Sequence, residues 1–175
     1  MGSIGNMGNM GMENLTNIVV SEGELGNITR VLGRLTLDTG ATHVLLLDKS
    51  GQLIATQGPA GQRDIIALGA LLAGAFASSR HVAEILGERD FRSILQQGVN
   101  ESIYTSLVGE QWLLVIVFDK QTHIGLVKVL ARKATEELER VLERVRVGGR
   151  QAKEQVVNVQ FRSSVENTID LLFQD

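Results

Sequence analysis

Cysteine is absent from this sequence of 175 residues, proline occurs once, and aromatic residues make up only 4%. Without cysteine the chain has no disulfides, thiolate nucleophiles or thiolate metal ligands, a composition typical of a reducing compartment. We therefore expect a cytoplasmic protein. An excess of positive charge is also missing, since the formal net charge is -3. Nucleic acid is not an expected partner, because binding phosphates requires a basic excess.

Long apolar runs are missing as well. The longest uninterrupted run, Trp112–Phe118, is far shorter than the roughly 20 residues that span a bilayer. The N-terminus has neither the basic start nor the apolar core of a signal peptide. The sequence therefore predicts no membrane insertion.

Patterns of catalytic residues are equally scarce. The serines lack the glycine-flanked elbow of hydrolases, and the glycines match neither a P-loop nor a dinucleotide-binding fingerprint. His43, His81 and His123 are scattered, with no carboxylate at metal-ligand spacing. We expect no catalytic residue, no cofactor and no metal, and therefore a protein that is not an enzyme.

Composition divides the chain into four parts. Residues 1–17 form a tail rich in glycine, methionine and asparagine, which we predict to be disordered. Residues 18–147 carry the regular patterns of a folded domain. Residues 148–162 begin with two glycines and are polar, as in a linker, and residues 163–175 have the pattern of a short amphipathic helix.

Capping residues mark the helices of the domain. Ser21 with Glu24 predicts the start of a first helix, which Gly40 would end. A second, long helix follows Asp64 and ends before Gly87. A third begins near Thr122, and one of its faces would be marked by Val127, Leu130, Ala134, Leu138, Val141 and Val145, with Glu136 and Arg140 as an ion pair on the other.

Five short segments between these helices have strand patterns. Residues 43–48 and 52–57 flank a glycine turn, residues 91–97 form an irregular strand, and residues 103–108 and 111–118 flank a second turn. Because the strands are apolar on both faces, helices must cover both sides of the sheet. The predicted fold class is α+β, a three-layer α/β/α sandwich.

Several stretches of sequence are similar to the Roadblock or dynein light-chain family, and within it to bacterial gliding-motility regulators. The resemblance covers about residues 20–147 and lies in many short matches in the same order. The matching stretches are LLLDKSGQLI at 45–54, Ala73-Gly74 with ILGE at 85–88, VIVFD at 115–119 leading to GLV at 125–127, and Lys133-Ala134 with Glu137-Leu138.

This resemblance implies a profilin-like domain with a five-stranded antiparallel sheet that forms a homodimer through its sheet edge and its central helix. It also implies a partner, a small Ras-like GTPase, whose GTP hydrolysis the protein accelerates by remodelling the GTPase active site without an arginine finger, in the control of cell polarity or motility. Arg80 and His81 depart from the family, which has small residues at these positions.

The central helix carries the first candidate protein-binding surface. At about 100° per residue, one face would hold the core positions Leu68, Leu72, Phe76, Ala83 and Leu86. The opposite face would hold a small-residue stripe with a charged rim, formed by Ala70, Ala73, Gly74, Ala77, Arg80, His81 and Glu84. The stripe fits a GTPase platform, and equally a site of close helix packing within one chain or dimer.

The terminal segment carries the second candidate surface. Val165, Ile169, Leu172 and Phe173 fall on one face, and Ser163 with Glu166 forms a capping box. Family likeness implies a contact with the GTPase, whereas the alternative is packing on its own domain.

The basic residues of the last helix suggest a solvated face more than a membrane patch; they are Lys128, Arg132, Lys133 and Arg140. We interpret Arg89, Arg92, Arg132 and Arg140 as solvated or salt-bridged rather than as arginine fingers. Two rival functions stay open, a Roadblock scaffold that does not activate and a profilin-like or PAS-like sensor of a small ligand.

Overall fold

The part of the chain that the structure describes contains three helices and five strands. The computed structural model describes residues 20–172 apart from residue 62, with side chains up to residue 151. The tail at residues 1–17 lies outside the described residues. The elements are α1 (Glu22–Thr39), β1 (His43–Asp48), β2 (Leu53–Gln57), α2 (Ile65–Leu86), β3 (Ser93–Gln97), β4 (Glu101–Val108), β5 (Trp112–Asp119) and α3 (Ile124–Leu172).

The strands form one five-stranded antiparallel sheet in the order β2-β1-β5-β4-β3. The all-apolar strand β5 occupies the centre, and its residues Trp112–Phe118 are buried on both faces. The structure confirms the predicted fold class and the five strands, whose bounds differ from the predicted ones by two residues or fewer.

Two separate cores hold the layers together. On one face α1 and α3 bury Leu32, Trp112 and Leu138 in a common cluster. On the other face α2 alone covers the sheet, and its Leu72 and Phe76 pack in a second cluster. The prediction that the helices are divided between the two faces is confirmed.

Local signals place most helix ends where the sequence predicts them. The Ser21 hydroxyl accepts a hydrogen bond from the amide of Glu24, and the Asp64 carboxylate accepts one from the amide of Ala67. Gly40 and Gly87 end α1 and α2 in the left-handed conformation.

The predicted start of α3 at Thr122 is too early. The helix begins at Ile124, and the amide of Val127 donates to the carbonyl oxygen of His123. Thr122 belongs to a turn instead, because its amide donates to the carbonyl oxygen of Asp119. The predicted ion pair between Glu136 and Arg140 is also replaced, since Glu136 lies 3.6 Å from Arg132.

The predicted linker at residues 148–162 and the separate helix at residues 163–175 are not seen as separate elements. Instead α3 continues through them to Leu172, over 49 residues. Gly148 and Gly149 each cost only about 1 kcal/mol relative to alanine in a helix interior. Residues 150–155 are all good helix formers and no proline follows them, so the helix continues past the two glycines.

One described helix, α2, is long and apolar enough to cross a membrane by its length and composition. Small and polar residues interrupt the apolar runs of α2, so no long apolar run marks this helix in the sequence. In the folded domain Leu72 and Phe76 bury one side of α2 against the sheet. Its apolar character on the outer side therefore needs a separate explanation.

Candidate functional site

The outer side of α2 exposes large apolar side chains. Ile85 is 85% exposed, Ile66 73% and Leu71 72%. Val82 and Leu86 are also at least half exposed. A helix that is apolar all round is normally buried, and contiguous apolar surface of this kind marks interaction sites. We call this surface the outer face of α2.

The small-residue stripe lies partly on this face. Ala70, Gly74 and Ala77 are exposed as predicted. The prediction that Ala73 is a contact residue is wrong, because Ala73 is 3% exposed and packs in the core beneath α2. The prediction for Leu86 is also wrong, because Leu86 was predicted to lie in the core and is exposed.

The sequence analysis missed the large members of the outer face. Ile66, Leu71 and Ile85 were passed over because it assigned large apolar residues to the core and small ones to the surface. The missed signal was the number of apolar positions in α2, which exceeds what one buried side can hold.

One ion pair and one local side-chain contact occupy the charged rim. The Arg80 guanidinium donates to both carboxylate oxygens of Asp90, at 3.2 and 3.3 Å. His81 Nδ1 lies 3.5 Å from Glu84 Oε2, and both side chains are well exposed. Arg80, His81 and Glu84 are therefore all at the surface, but Arg80 is already paired within the domain. Partial burial, together with the nearby charge of Arg80, lowers the pKa of Lys49 beside it.

Close backbone contacts fix α2 on the sheet. A Cβ atom added to Gly51, in the turn between β1 and β2, would lie 2.8 Å from Ala70 Cα and 3.3 Å from Ala73 Cβ. A Cβ atom on Gly69 would lie 2.9 Å from a methyl group of Leu47. Glycine at both positions lets the turn and the helix approach closely, which sets the direction in which the outer face points.

A bidentate ion pair ties the loop before α2 to the sheet. Arg63 donates to the two carboxylate oxygens of Glu101 at 2.8 and 2.6 Å. The hydrogen bond with Arg63 lowers the pKa of Glu101 below its usual value near 4.5. This contact holds the N-terminal end of α2 next to the start of β4.

The sheet has two edge strands in the protomer, β2 at one side and β3 at the other. Within the described residues β3 is hydrogen-bonded on one side only, to β4. Ser93, Gln96 and Gln97 of this strand are exposed. An edge strand with free backbone donors and acceptors can pair with a strand of another chain.

The second predicted surface lies largely outside the described residues. Val165, Ile169 and Leu172 fall within α3, but their side chains are outside the described part, and Phe173 is outside it altogether. Their role as a contact surface stays a prediction.

The four arginines considered above as possible arginine fingers lie at the surface. Arg92 and Arg132 are each 3.6 Å from a carboxylate oxygen, of Glu139 and Glu136 respectively. Arg89 and Arg140 are exposed. Among the described residues no group of histidines and carboxylates is arranged to hold a metal ion.

Comparisons with known proteins agree with this architecture. The family model of the Roadblock/LC7 domain matches residues 28–118. MglB of Myxococcus xanthus is 37% identical, with a TM-score of 0.69, over 73% of this chain and 96% of that chain. The gliding protein MglB of Thermus thermophilus is 30% identical, with a TM-score of 0.69, over 73% of this chain and 97% of that chain.

A third solved structure shows an MglB with a tetrameric arrangement. It is 30% identical to this chain, with a TM-score of 0.71, over 74% of this chain and 97% of that chain. No curated protein matches the sequence.

Proposed function

The chain belongs to the Roadblock/LC7 family, and from this premise we propose that it is a homodimeric activator of a small Ras-like GTPase. The GTPase would resemble MglA, the partner that the likeness to MglB implies, and the setting would be cell polarity or motility. The observation that carries the proposal is the outer face of α2, which is apolar, exposed and aimed away from its own core.

The two flanks of this face differ in kind. At about 100° per residue, Leu71, Val82 and Leu86 lie on one flank, Ala70 and Ala77 lie on the other beyond the first turn, which carries Ile66, and Ile85 lies between the two flanks. The small-residue flank borders the β1–β2 turn, because Gly51 touches Ala70. The large-residue flank therefore points toward the other side of the sheet, where β3 is the edge strand.

We assign the large-residue flank to the homodimer. Large aliphatic side chains beside an open strand edge can be buried by a second copy, which places the two α2 helices next to each other. The small-residue flank with His81 then stays accessible to the GTPase. Small side chains let a partner backbone approach closely, which suits the repositioning of loops in a GTPase.

Activation in this proposal uses residues of the GTPase itself. An arginine finger needs a guanidinium that is free to reach the nucleotide, and Arg80 on α2 is held by Asp90. The outer face of α2 instead provides the GTPase with a surface of defined shape and with apolar contacts. Such contacts accelerate hydrolysis when they stabilise the catalytic arrangement of the GTPase loops. The C-terminal part of α3 is proposed as an accessory contact.

The deciding experiment measures GTP turnover by an MglA-like GTPase across a concentration series of this protein. We expect acceleration that saturates at two chains per GTPase. Ala77→Arg places a long charged side chain on the small-residue flank and should abolish acceleration. Thr29→Arg adds the same side chain at an exposed position of α1, on the opposite layer, and should leave acceleration intact.

Two results would contradict the proposal. Binding without acceleration would reduce the protein to a scaffold. An Ala77→Arg variant that still binds and activates would exclude the outer face of α2 as the platform.

A further inference from the structure

The opposite layer of the domain exposes a second, different surface. On the side of the sheet away from α2, the helices α1 and α3 lie next to each other. Leu37 on α1 is 84% exposed and Val129 on α3 is 56% exposed. Both point away from the core, since Leu35 and Val127, close to them in sequence, are buried. Neither side chain takes part in the core beneath these helices.

Cations outnumber carboxylates around these two aliphatic side chains, where Asp38 is exposed next to Leu37 and Glu136 lies 3.6 Å from Arg132. Between Gln121 and Thr135 the chain carries three cations, Lys128, Arg132 and Lys133, and no carboxylate, and all three cations are exposed. Arg30 is exposed on α1, about two turns before Leu37. The chain as a whole has a formal net charge of -3. The positive charge is therefore local, and we call this surface the α1–α3 face.

The two helices are antiparallel, which brings these groups to one end of the layer. Arg34 of α1 pairs with Glu137 of α3, and Glu24 pairs with Arg144, at 2.8 Å. The C-terminal end of α1 therefore lies beside the first turns of α3. Leu37 consequently lies on the same end of the layer as Lys128, Val129 and Lys133.

Those ion pairs also determine the shape of the face. The side chains of Arg34 and Glu137, and of Glu24 and Arg144, bridge the two helices. These bridges cross the line between the helices along which a peptide helix would have to lie. Protruding aliphatic side chains with flanking cations suit a lipid interface instead.

We propose that the α1–α3 face binds peripherally to an anionic membrane surface. The cations would lie at the level of the lipid headgroups, where each contributes about 1 kcal/mol, and Leu37 and Val129 would enter the boundary of the acyl chains. This site is separate from the proposed GTPase platform, which lies on the other side of the sheet. In the proposed dimer, a sheet continued across β3 would turn both α1–α3 faces to the same side.

The test is co-sedimentation of the full chain with vesicles. Vesicles of phosphatidylcholine with phosphatidylglycerol should bind the protein, with an affinity that falls as salt rises, and vesicles of phosphatidylcholine alone should not. Lys128→Glu with Lys133→Glu should weaken binding roughly tenfold or more, by the same energy per cation. Leu37→Ser should weaken the part of the binding that persists at high salt.

The matched control is Lys49→Glu with Arg89→Glu, which makes the same charge change at exposed positions in the β1–β2 turn and in the connection from α2 to β3, and should leave vesicle binding unchanged. The inference is overturned by absent binding to anionic vesicles at low salt, or by an equal loss in the control. It is also overturned if a polyglutamate peptide binds the α1–α3 face while vesicles do not. GTPase turnover with Lys128→Glu and Lys133→Glu should be normal, so failure here and failure of the proposed function are distinguishable.

Discussion

The backbone of Ala70 in α2 rests against Gly51 in the β1–β2 turn, where a Cβ atom would lie 2.8 Å from Ala70 Cα. Gly51 also has a φ of +90°, which L-residues with side chains rarely adopt. Gly51→Ala should therefore lower the free energy of unfolding by about 2–3 kcal/mol, from the strained backbone and the displaced helix. Urea denaturation followed by circular dichroism measures this loss.

Gly69→Ala is the comparison for this prediction. A Cβ atom there would meet a methyl group of Leu47 at 2.9 Å, and the backbone conformation is ordinary. A flexible side-chain end can move, so the expected loss is below about 1.5 kcal/mol. Equal losses of unfolding free energy for the two variants would show that the backbone contact between Gly51 and Ala70 does not fix the position of α2 on the sheet.

Ile85→Glu should prevent the proposed homodimer while leaving the protomer folded. Ile85 is 85% exposed in the protomer, so a charge there disturbs no internal contact but would be buried without a partner in the dimer. Sedimentation equilibrium should show monomers for Ile85→Glu and dimers for the parent protein. Leu37→Glu, at a position 84% exposed on the opposite layer, should remain dimeric. A dimeric Ile85→Glu variant would remove α2 from the interface.

The fold could be predicted from the sequence because its signals are local. Ser21, Asp64 and Gly87 cap helices through contacts within a few residues of themselves. The all-apolar strand from Trp112 to Phe118 indicates a centre covered on both sides. These features do not depend on the rest of the chain.

The candidate site was predicted only in part, because the rotation of α2 about its axis depends on distant contacts. The close contact of Gly51 with Ala70 and Ala73 keeps this side of α2 against the domain, and Ala73 is buried in the core. No pattern within α2 indicates this contact. Leu86 was predicted to lie in the core, but the side of α2 that the sheet buries, marked by Leu72 and Phe76, leaves Leu86 exposed. The continuation of α3 was missed because a pair of glycines normally signals a break, whereas the helix formers around them outweigh that cost.

Acidic pH should weaken the ion pair between Glu101 and Arg63. The hydrogen bond with Arg63 lowers the pKa of Glu101 from its usual value near 4.5. Its contribution to stability is therefore complete above about pH 4.5 and is lost as the pH falls through the lower folded-state pKa. Because the side chain is a third exposed, this contribution is about 1 kcal/mol or less.

Glu101→Gln should therefore be less stable than the parent protein near neutral pH and equally stable in acid, in urea denaturation at a series of pH values. Arg63→Gln should show the same pattern, and the double variant should be no less stable than either single one. A difference that persists at low pH would mean that Glu101 acts by packing rather than by charge.

Arg80→Ala should reduce the activated GTP turnover only slightly, by less than about tenfold. The guanidinium is paired with Asp90, so its removal disturbs the rim without removing a group that reaches the nucleotide. Loss of an arginine finger costs about 10³–10⁵ in turnover. A loss of that size, with binding retained, would contradict the proposal that the GTPase is activated without a finger. Asp90→Asn, which weakens the same pair, should behave like Arg80→Ala.

Deletion of residues 160–175 should weaken affinity for the GTPase without lowering the melting temperature. Among the described side chains, the core along α3 extends to Val145, and the helix continues far beyond it to Leu172. The 49 residues of α3 span about 70 Å at 1.5 Å per residue, so its end lies well away from the sheet. A segment that does not pack on its own domain adds little to folding, but its apolar and acidic residues can bind a partner. A large thermal loss on deletion would instead show that the segment packs on the domain or on its dimer partner, and would remove it from the proposed GTPase contact.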